Sequence, residues 1–487
     1  MDKHSFNPGR RSLLAAALAE AGLLATLPAP LLAAPAKLTS DGERTPLVAN
    51  ITGLYTVPVA RIEQPRSTEA VAAQVRAWPG TVAVGGGRYS MGGQIACVGG
   101  LHLDLRGLNR LVWLDAAAKR VRVQAGMVWR DLQDLLDPLG LAVKTMQSYA
   151  NFTVGGSVSV NVHGRYVGHG PIGHTVRALQ LVLADGTVVE ASPQRRAELF
   201  RAAIGGYGAV GVISEVELEL ADNCRIASQV QEVALDDYVA HVEQQVLADP
   251  TAVLHNADLL PPRFDAPVAI TWRRVADDEP LTEAARLVPR GQRYALERQA
   301  IWAVTELPGG TALGSRVLHP LLKRGREVAW LNHEASLDVA SLEPRSRSQS
   351  TFALQEYFVP GPAVAAFARG LSRILQQRRA QVLNISVRHS PADRVALLPW
   401  AREAVFSFVL YHKQRTSPQA QAEVGRWTRE LIDLVLEHGG RWYLPYQPHA
   451  TRAQFDRAYP EAQALRALKR RVDPDGRFGN ELWRKYL

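Results

Sequence analysis

Three glycine clusters interrupt the strand-like segments in the first half of the chain. They lie at 85–87, 155–156 and 205–211, and each adjoins a short apolar run. Glycine lets the backbone adopt positive φ or approach a ligand closely, so such clusters mark either turns or phosphate-binding loops. Three clusters in one region are more than turns alone require. The pattern therefore predicts a domain whose loops converge on a ligand.

The second cluster belongs to the stretch QSYANFTVGGSVSVNVHGRYVGHG at 147–170. Its pattern predicts a strand-like run that turns at Gly155 and Gly156 and then alternates along 157–160. Small side chains beside free backbone N–H groups suit a site for a flat, polar and phosphorylated molecule.

The first cluster follows the strand-like run TVAV, at 81–84, and reads GGGRYSMGGQ. A strand that enters a glycine run directs successive amides toward a pyrophosphate. The residues at 95–104 have no helical pattern, so this is not the G-x-G-x-x-G strand–turn–helix of a nicotinamide-binding Rossmann unit.

Strand and helix patterns alternate along the rest of the chain. Ser67 is a natural N-cap for the first helix. Predicted strands lie at 101–105, 110–115, 120–126, 213–220, 268–274, 351–360, 382–390 and 404–413, with a hairpin around the Ala-Asp-Gly turn at 184–186. Predicted helices lie at 70–77, 128–136, 196–203, 236–246, 363–377 and 419–437. This order predicts two α+β domains, the second with an antiparallel sheet.

Composition limits the functional classes. The chain has 487 residues, 47% of them hydrophobic, a formal charge of +9 and no recognisable nucleic-acid module, so nucleic-acid binding is not predicted. Two distant cysteines, Cys97 and Cys224, exclude a disulfide framework or a cysteine-rich metal site, and no metal is predicted. The basic run KRGR at 323–326 is either a solvated loop or a peripheral contact with an anionic membrane.

The N-terminus has the pattern of an export signal. Arg10-Arg11 precedes an apolar run that ends in the A-x-A-like sequence LAAPA, and the alternative is an amphipathic surface helix. We therefore expect a twin-arginine-type signal at 1–36 and a periplasmic or otherwise exported protein.

Four motifs in a fixed order carry a resemblance to a known family. They are GGGRYS at 85–90, TVGGSVSVNVHG at 153–164, LVLADG at 181–186 and GGYGAVGVISEVELEL at 205–220. The chain resembles the vanillyl-alcohol oxidase / PCMH superfamily of FAD-dependent oxidoreductases, and within it the aldonolactone/alditol oxidases and decaprenylphosphoryl-ribose oxidase. The resemblance implies an α+β fold: a two-subdomain PCMH-type FAD-binding domain at 55–222, a substrate domain with an antiparallel sheet at 223–430, and a C-terminal segment, 431–487, that returns to the FAD domain.

The resemblance also implies site residues. Position by position, those for FAD are Gly85, Gly86, Gly87, Arg88, Tyr89, Ser90, Gln94, Thr153, Gly155, Gly156, Asn161, His163, Gly208, Val212 and Tyr443. Arg88 stands where many relatives carry a histidine bonded to the flavin, so non-covalent FAD is expected, with Arg88 either on a phosphate or in a solvated loop.

Candidates for the substrate side come from the predicted sheet and the C-terminus. Strand alternation places Asn384, Ser386 and Arg388 on one face. The resemblance places a Glu-x-Arg pair on such a strand, but Ser386 replaces its acid, and Tyr446 stands where decaprenylphosphoryl-ribose oxidase has a lysine. Further candidates are Gln355, Glu356, Tyr357, His389, Tyr411 and His412. We predict Tyr446, His163 and Arg388 as catalytic, with either His163, His389 or a Tyr446 whose pKa Arg388 lowers as the base.

The implied reaction is oxidation of a CH–OH group by hydride transfer to flavin N5. The substrate would be a sugar, polyol, lactone or other alcohol, and the electron acceptor oxygen, a quinone or a cytochrome. Val162, just before His163-Gly164, is expected to hinder oxygen, which favours a dehydrogenase. The alternatives are an NAD(P)H-dependent flavin reductase and a non-catalytic flavin- or sugar-binding protein.

Overall fold

The computed structural model describes residues 45–292, 294, 325–342, 344 and 346–487. The predicted signal at 1–36 and Lys323 and Arg324 of the basic run lie outside these residues. Within them, no helix combines the length and the apolar character that crossing a bilayer requires.

Two small sheets open the chain. Strands β1 (Leu47–Ala49) and β2 (Thr56–Pro58) pair with each other, so the described fold begins before residue 55. Strand β3 (Arg61–Glu63), helix α1 (Thr68–Ala77), β4 (Val82–Gly85) and β5 (Leu101–Asp104) follow, and the three strands form a parallel sheet in the order β3-β5-β4. Ser67 caps α1 by accepting a hydrogen bond from the amide of Ala70, as predicted.

A six-stranded antiparallel sheet completes the first half. Its core order is β10-β9-β11-β7-β6, with β8 also paired to β11. The elements in this half are β6 (Leu111–Asp115), β7 (Arg120–Gln124), α2 (Trp129–Leu136), β8 (Leu141–Val143), α3 (Val154–Ser159), β9 (Val176–Val182), β10 (Val188–Ala191), α4 (Ala197–Ala203) and β11 (Val212–Asp222).

The segment α3 differs from its prediction. The sequence pattern predicted a strand-like run with a turn at Gly155 and Gly156, but both glycines lie inside this short helix. A Cβ on Gly155 would lie 2.4 Å from the Cβ of Ala125, which directly follows β7. Close packing of the helix on this segment, rather than a turn, therefore requires glycine here.

The second half forms an eight-stranded antiparallel sheet with helices on one face. Its order is β15-β12-β14-β13-β17-β18-β16-β19. The elements are β12 (Arg225–Glu232), α5 (Tyr238–His241), the π-helix Val242–Leu247, β13 (Ala252–Leu259), β14 (Val268–Arg274), β15 (Val328–Trp330), α6 (Leu331–Ala335), β16 (Ser350–Pro360), α7 (Val364–Gln377), β17 (Val382–Ser390), β18 (Val405–Arg415), α8 (Pro418–Glu437) and β19 (Arg441–Trp442). The predicted α+β class and antiparallel sheet are confirmed.

The C-terminus packs back against the first half. Helices α9 (Arg452–Ala458), α10 (Ala462–Val472) and α11 (Glu481–Tyr486) follow β19. Phe478 forms a bridge with Val82 of β4 and belongs to the core of the parallel sheet. Since β19 pairs with β16, the chain is still part of the large sheet at Trp442.

Candidate active site

A large cavity separates the glycine-rich loops from one face of the eight-stranded sheet. Its volume is about 430 Å³. The loops contribute Gly86, Gly156 and Gly208, and the sheet contributes Glu356 and Arg388. Each half of the chain thus supplies one wall.

A row of side chains crosses the sheet wall. Asp258 of β13 is opposite Ser386 of β17, Ser386 is opposite Val409 of β18, and Val409 is opposite Glu356 of β16. All four line the cavity. Because adjacent strands are about 4.8 Å apart, the two carboxylate-bearing positions are separated by roughly 14 Å.

Strand β17 presents its polar residues as alternation predicts. Asn384, Ser386 and Arg388 all line the cavity, and Tyr411 stands beside Asn384 on β18. The hydroxyl of Tyr411 donates to the carbonyl of Leu342 at 2.8 Å. The wall is therefore a surface of amide, hydroxyl and guanidinium groups.

The centre of the wall holds a hydrogen-bonded group of three side chains. Oε1 of Glu356 lies 2.5 Å from Nε2 of His163, and Oε2 accepts a hydrogen bond of 3.2 Å from the hydroxyl of Tyr446. His163 and Glu356 are 6% and 3% exposed, so water competes little for either contact. The glycine-rich stretch, which carries His163, and the C-terminal segment, which carries Tyr446, therefore meet the sheet at the carboxylate of Glu356.

Burial governs the titration of the neighbouring groups. Burial raises the pKa of Tyr446 well above its ordinary value, the charge of Glu356 raises it further, and Arg388 opposes this less strongly. Burial also lowers the pKa of Arg388, against the opposing effect of Glu356. This direction is opposite to the one expected if Arg388 made Tyr446 a base, and the hydroxyl of Tyr446 instead donates to Glu356.

Aromatic rings fix the position of His163. Its ring lies 4.7 Å from that of Trp400 and 5.7 Å from that of Phe358, between centroids. The indole Nε1 of Trp400 donates to the carbonyl of Asn161 at 2.9 Å. Trp400 thus holds both the imidazole and the backbone that carries it.

Each of the three glycine regions also contains a non-glycine residue with positive φ. The angles are 63° at Arg88, 53° at Asn161 and 51° at Tyr207. Such backbone is uncommon and costs free energy, and it is concentrated at functional sites. All three lie in loops beside the cavity.

Comparisons with known proteins agree with this geometry. Residues 59–192 match the family model described as FAD binding domain, and residues 335–486 match the one described as D-arabinono-1,4-lactone oxidase. L-gulonolactone oxidase of Bos taurus is 25% identical over 88% of this chain and 93% of its own length. Both matched segments and this relative make the chain similar to the PCMH-type FAD oxidases.

Other relatives extend the range of named activities. Decaprenylphosphoryl-beta-D-ribose oxidase of Mycolicibacterium smegmatis is 26% identical, covering 83% of this chain and 89% of its own length. Alditol oxidase of a Streptomyces species is 32% identical, covering 36% of this chain and 41% of its own length. The match to the FAD binding domain identifies FAD as the cofactor of this protein.

The loop wall fits FAD. A Cβ on Gly86 would come within 2.2 Å of Oγ1 of Thr153, so only glycine lets the first loop approach the second this closely beside the cavity. Several buried polar atoms on this side of the cavity have no hydrogen-bond partner among the described residues; they are Nε of Arg88, Oγ of Ser148, Oγ1 of Thr153 and Nδ1 of His163. A ligand with a pyrophosphate, hydroxyl groups and a heteroaromatic ring supplies partners for such atoms.

Most residues expected to bind FAD line this cavity. They are Gly86, Gly87, Arg88, Tyr89, Ser90, Gln94, Thr153, Gly155, Gly156, His163, Gly208, Val212 and Tyr443. Gly85 and Asn161 are not among its lining residues. Gly85 packs on His102, and Asn161 uses its amide to bond Asp393 at 2.8 Å and the amide of Gly173 at 3.1 Å.

Two of the lining residues have protein partners that the sequence did not indicate. Arg88 forms an ion pair with Asp104 at 3.0 Å, so its guanidinium is not a freely solvated group. Gln94 accepts from the amide of Gly92 and donates to the carbonyls of Leu444 and Tyr446, each at 2.8 Å. Gln94 therefore ties the first glycine loop to the C-terminal segment that carries Tyr446.

Four substrate candidates face away from the cavity. Gln355 and Tyr357 bond each other, and Gln355 also bonds Thr428 on α8. His389 packs on Phe406, and His412 on Trp427. On each strand these residues alternate with the ones that line the cavity.

Sequence reasoning missed Asp258, Asn256 and Trp400. The first two line the cavity from β13, where polar Asn256 and Asp258 flank Ala257. This alternation was a usable signal for a cavity-facing strand. Trp400 lies between β17 and β18 and had no pattern that pointed to it.

Proposed function

We propose that the protein oxidises a CH–OH group of a sugar, polyol, lactone or other alcohol. The observation that carries this proposal is the buried carboxylate of Glu356, bonded to His163 and Tyr446, on a polar wall that faces the FAD loops. The relatives named as L-gulonolactone oxidase and alditol oxidase support the same substrate class.

The chain supplies binding, orientation and a route for one proton. When bound, FAD accepts hydride from the substrate carbon. Arg388 is a donor that holds the substrate oxygen, and the His163–Glu356–Tyr446 group lies where the hydroxyl proton leaves. Because the site is buried between two walls, these interactions are stronger than they are in water.

An anaerobic reduction screen tests this proposal. Purified protein loaded with FAD is mixed with sugars, alditols, lactones and aromatic alcohols, and the flavin absorbance is followed. Bleaching by at least one alcohol is the expected result. Bleaching by NADPH alone indicates a flavin reductase, and no bleaching by either indicates a binding protein; both contradict the proposal.

We infer further that FAD is held non-covalently. An arginine stands at 88, and its guanidinium has no ring nitrogen with which to form the histidyl–flavin bond. Acid precipitation of the protein should therefore leave all of the flavin in the supernatant, whereas flavin in the pellet contradicts the inference.

The electron acceptor is proposed to be a quinone or cytochrome rather than oxygen. Val162 is 6% exposed and lines the cavity next to His163, where its branched side chain narrows access for oxygen. Rapid stoichiometric peroxide formation by the wild type contradicts this assignment.

Export remains part of the proposal, since Arg10-Arg11 and the LAAPA sequence have the pattern of a twin-arginine signal. Fractionation of cells that express the full chain, with an Arg10→Lys/Arg11→Lys variant as control, tests it. Equal cytoplasmic retention of both proteins contradicts export.

A further inference from the structure

Glu356 is a carboxylate buried within a strand. It lies between Leu354 and Phe358 on the cavity face of β16. Among the described residues its hydrogen-bond partners are His163 and Tyr446, and no lysine or arginine forms an ion pair with it. Because burying a carboxylate without a paired cation is costly, such groups persist mainly where the chemistry requires them.

The two contacts leave Glu356 able to bind another donor. A carboxylate offers about four lone-pair sites on its two oxygens, and His163 and Tyr446 use one each. Glu356 also lines the cavity. A hydroxyl group bound there can therefore donate to a remaining site.

The neighbouring groups are less suited to accept a proton. Tyr446 is held protonated by burial and already donates to Glu356. Arg388 is a cation with no acceptor site. His163 has its Nε2 engaged with Glu356, so only its buried Nδ1 is left to accept a proton, and its ring is packed against Trp400 and Phe358.

We propose that Glu356 accepts the hydroxyl proton of the substrate, and that His163 and Tyr446 are positioning residues that hold its two oxygens. This inference rests on the proposed function. In the step, the O–H and C–H bonds of the substrate break and its carbon–oxygen bond becomes double. The proton converts the carboxylate of Glu356 to the acid, and the hydride with its two electrons passes to oxidised FAD.

The ionisable groups that face Glu356 determine how a pH profile is read. They are His163, Arg388, Tyr446, Tyr443, Tyr207 and Tyr459. Burial raises the pKa of each tyrosine, so these side chains stay neutral. The experiment must therefore distinguish His163 from Glu356 as the group whose protonation changes the reduction rate.

The test is anaerobic stopped-flow reduction of the FAD-loaded enzyme as a function of pH, with an alcohol that reduces the wild type. Glu356→Gln should lower the reduction rate roughly 100- to 10,000-fold and abolish the fall in rate at low pH. The FAD content and the thermal midpoint should stay the same as those of the wild type. The affinity for the ketone or lactone product, measured from the perturbed flavin spectrum, should stay within about threefold. That last readout does not depend on turnover.

Three further variants separate a base from a structural role. Glu356→Asp should keep the fall in rate at low pH. Tyr446→Phe should move that fall to higher pH, because it removes a donor that stabilises the charged carboxylate. Asp258→Asn, an equally conservative change in the same cross-strand row, should weaken product binding without changing the pH profile. If Glu356→Gln does not fold, the shift of the low-pH fall in rate in Tyr446→Phe still tests the proposal.

Two results would overturn the inference. One is a Glu356→Gln rate within about threefold of the wild type. The other is a Glu356→Gln variant that is slow but keeps the wild-type fall at low pH and loses it only when His163→Gln is added, which makes His163 the base. A wild type that no alcohol reduces contradicts the proposed function itself, so the two failures are distinguishable.

Discussion

The two walls of the cavity are built by different means. The loop wall consists largely of glycine-rich backbone, with Gly86 kept free of a side chain by Thr153. The sheet wall consists of side chains such as Glu356 and Arg388, which project from a regular backbone. The first wall is therefore specified by where side chains are absent, and the second by strand register. Changes to the first should affect the cofactor, and changes to the second should affect the substrate.

The largest effect is expected at the loop wall. Gly86→Ala places a Cβ about 2.2 Å from Oγ1 of Thr153, closer than atoms approach, so the loop must shift. The affinity for FAD should fall at least 100-fold, as measured by the flavin bound after reconstitution and gel filtration. Gly361→Ala is the control, since its Cβ would meet ordinary contacts of 3.4 Å or more. Equal FAD content in both variants would contradict a backbone-built wall.

A smaller effect is expected at the sheet wall. Arg388→Met removes a cavity-facing donor, so the apparent dissociation constant for the alcohol in anaerobic reduction should rise about 10- to 100-fold. The FAD content should not change. Arg388→Lys keeps the charge and should recover part of the affinity. A loss of FAD from Arg388→Met would break the division between the walls.

Val162 lies where the walls meet, so replacing it should change the rate at which the electron acceptor re-oxidises the enzyme. Val162→Gly removes a branched side chain beside His163, so oxygen should re-oxidise the reduced enzyme about tenfold faster. The rate of reduction by the alcohol should stay within about twofold. Stopped-flow mixing of reduced enzyme with oxygen measures this, with Val160→Ala as a second cavity-lining valine for comparison. An unchanged oxygen rate would remove Val162 as the barrier.

The smallest effect is a pH-dependent loss of stability at the loop wall. Burial and the nearby Arg88 lower the pKa of His102 to about 4, from an ordinary value of 6.5. The unfolded chain therefore binds this proton more readily, and stability is present above pH 6.5 and lost as pH falls from 6.5 toward 4. The loss should reach about 1 to 3 kcal/mol for this group.

His102→Gln should reduce that loss. The free energy of unfolding of wild type and variant is compared by urea titration at pH 7 and pH 4.5. His174, whose side chain is 28% exposed in the turn before β9, provides the control as His174→Gln. The same acid sensitivity in His102→Gln and wild type would exclude His102 as its source.

The difference between the walls also explains how well each was predicted. The order of the glycine motifs indicated which loops converge, and most of the expected FAD residues do line the cavity. Strand alternation placed Asn384, Ser386 and Arg388 together because they are two residues apart on one strand. It could not show that Gln355 and Tyr357 turn away while Glu356, between them, faces the cavity.

By itself the sequence determined the local features: the glycine loops, the cap of α1 and the alternation of the strands, since each depends on residues close in the chain. The tertiary structure decided what meets across long separations. His163 and Glu356 are 193 positions apart, and their contact depends on the register of β16 and on the packing of Trp400. The glycines of 155–156 likewise lie in a helix rather than a turn, where Gly155 packs directly on the distant Ala125. Local patterns report the conformations that a segment favours, whereas the site depends on which segments the fold brings together.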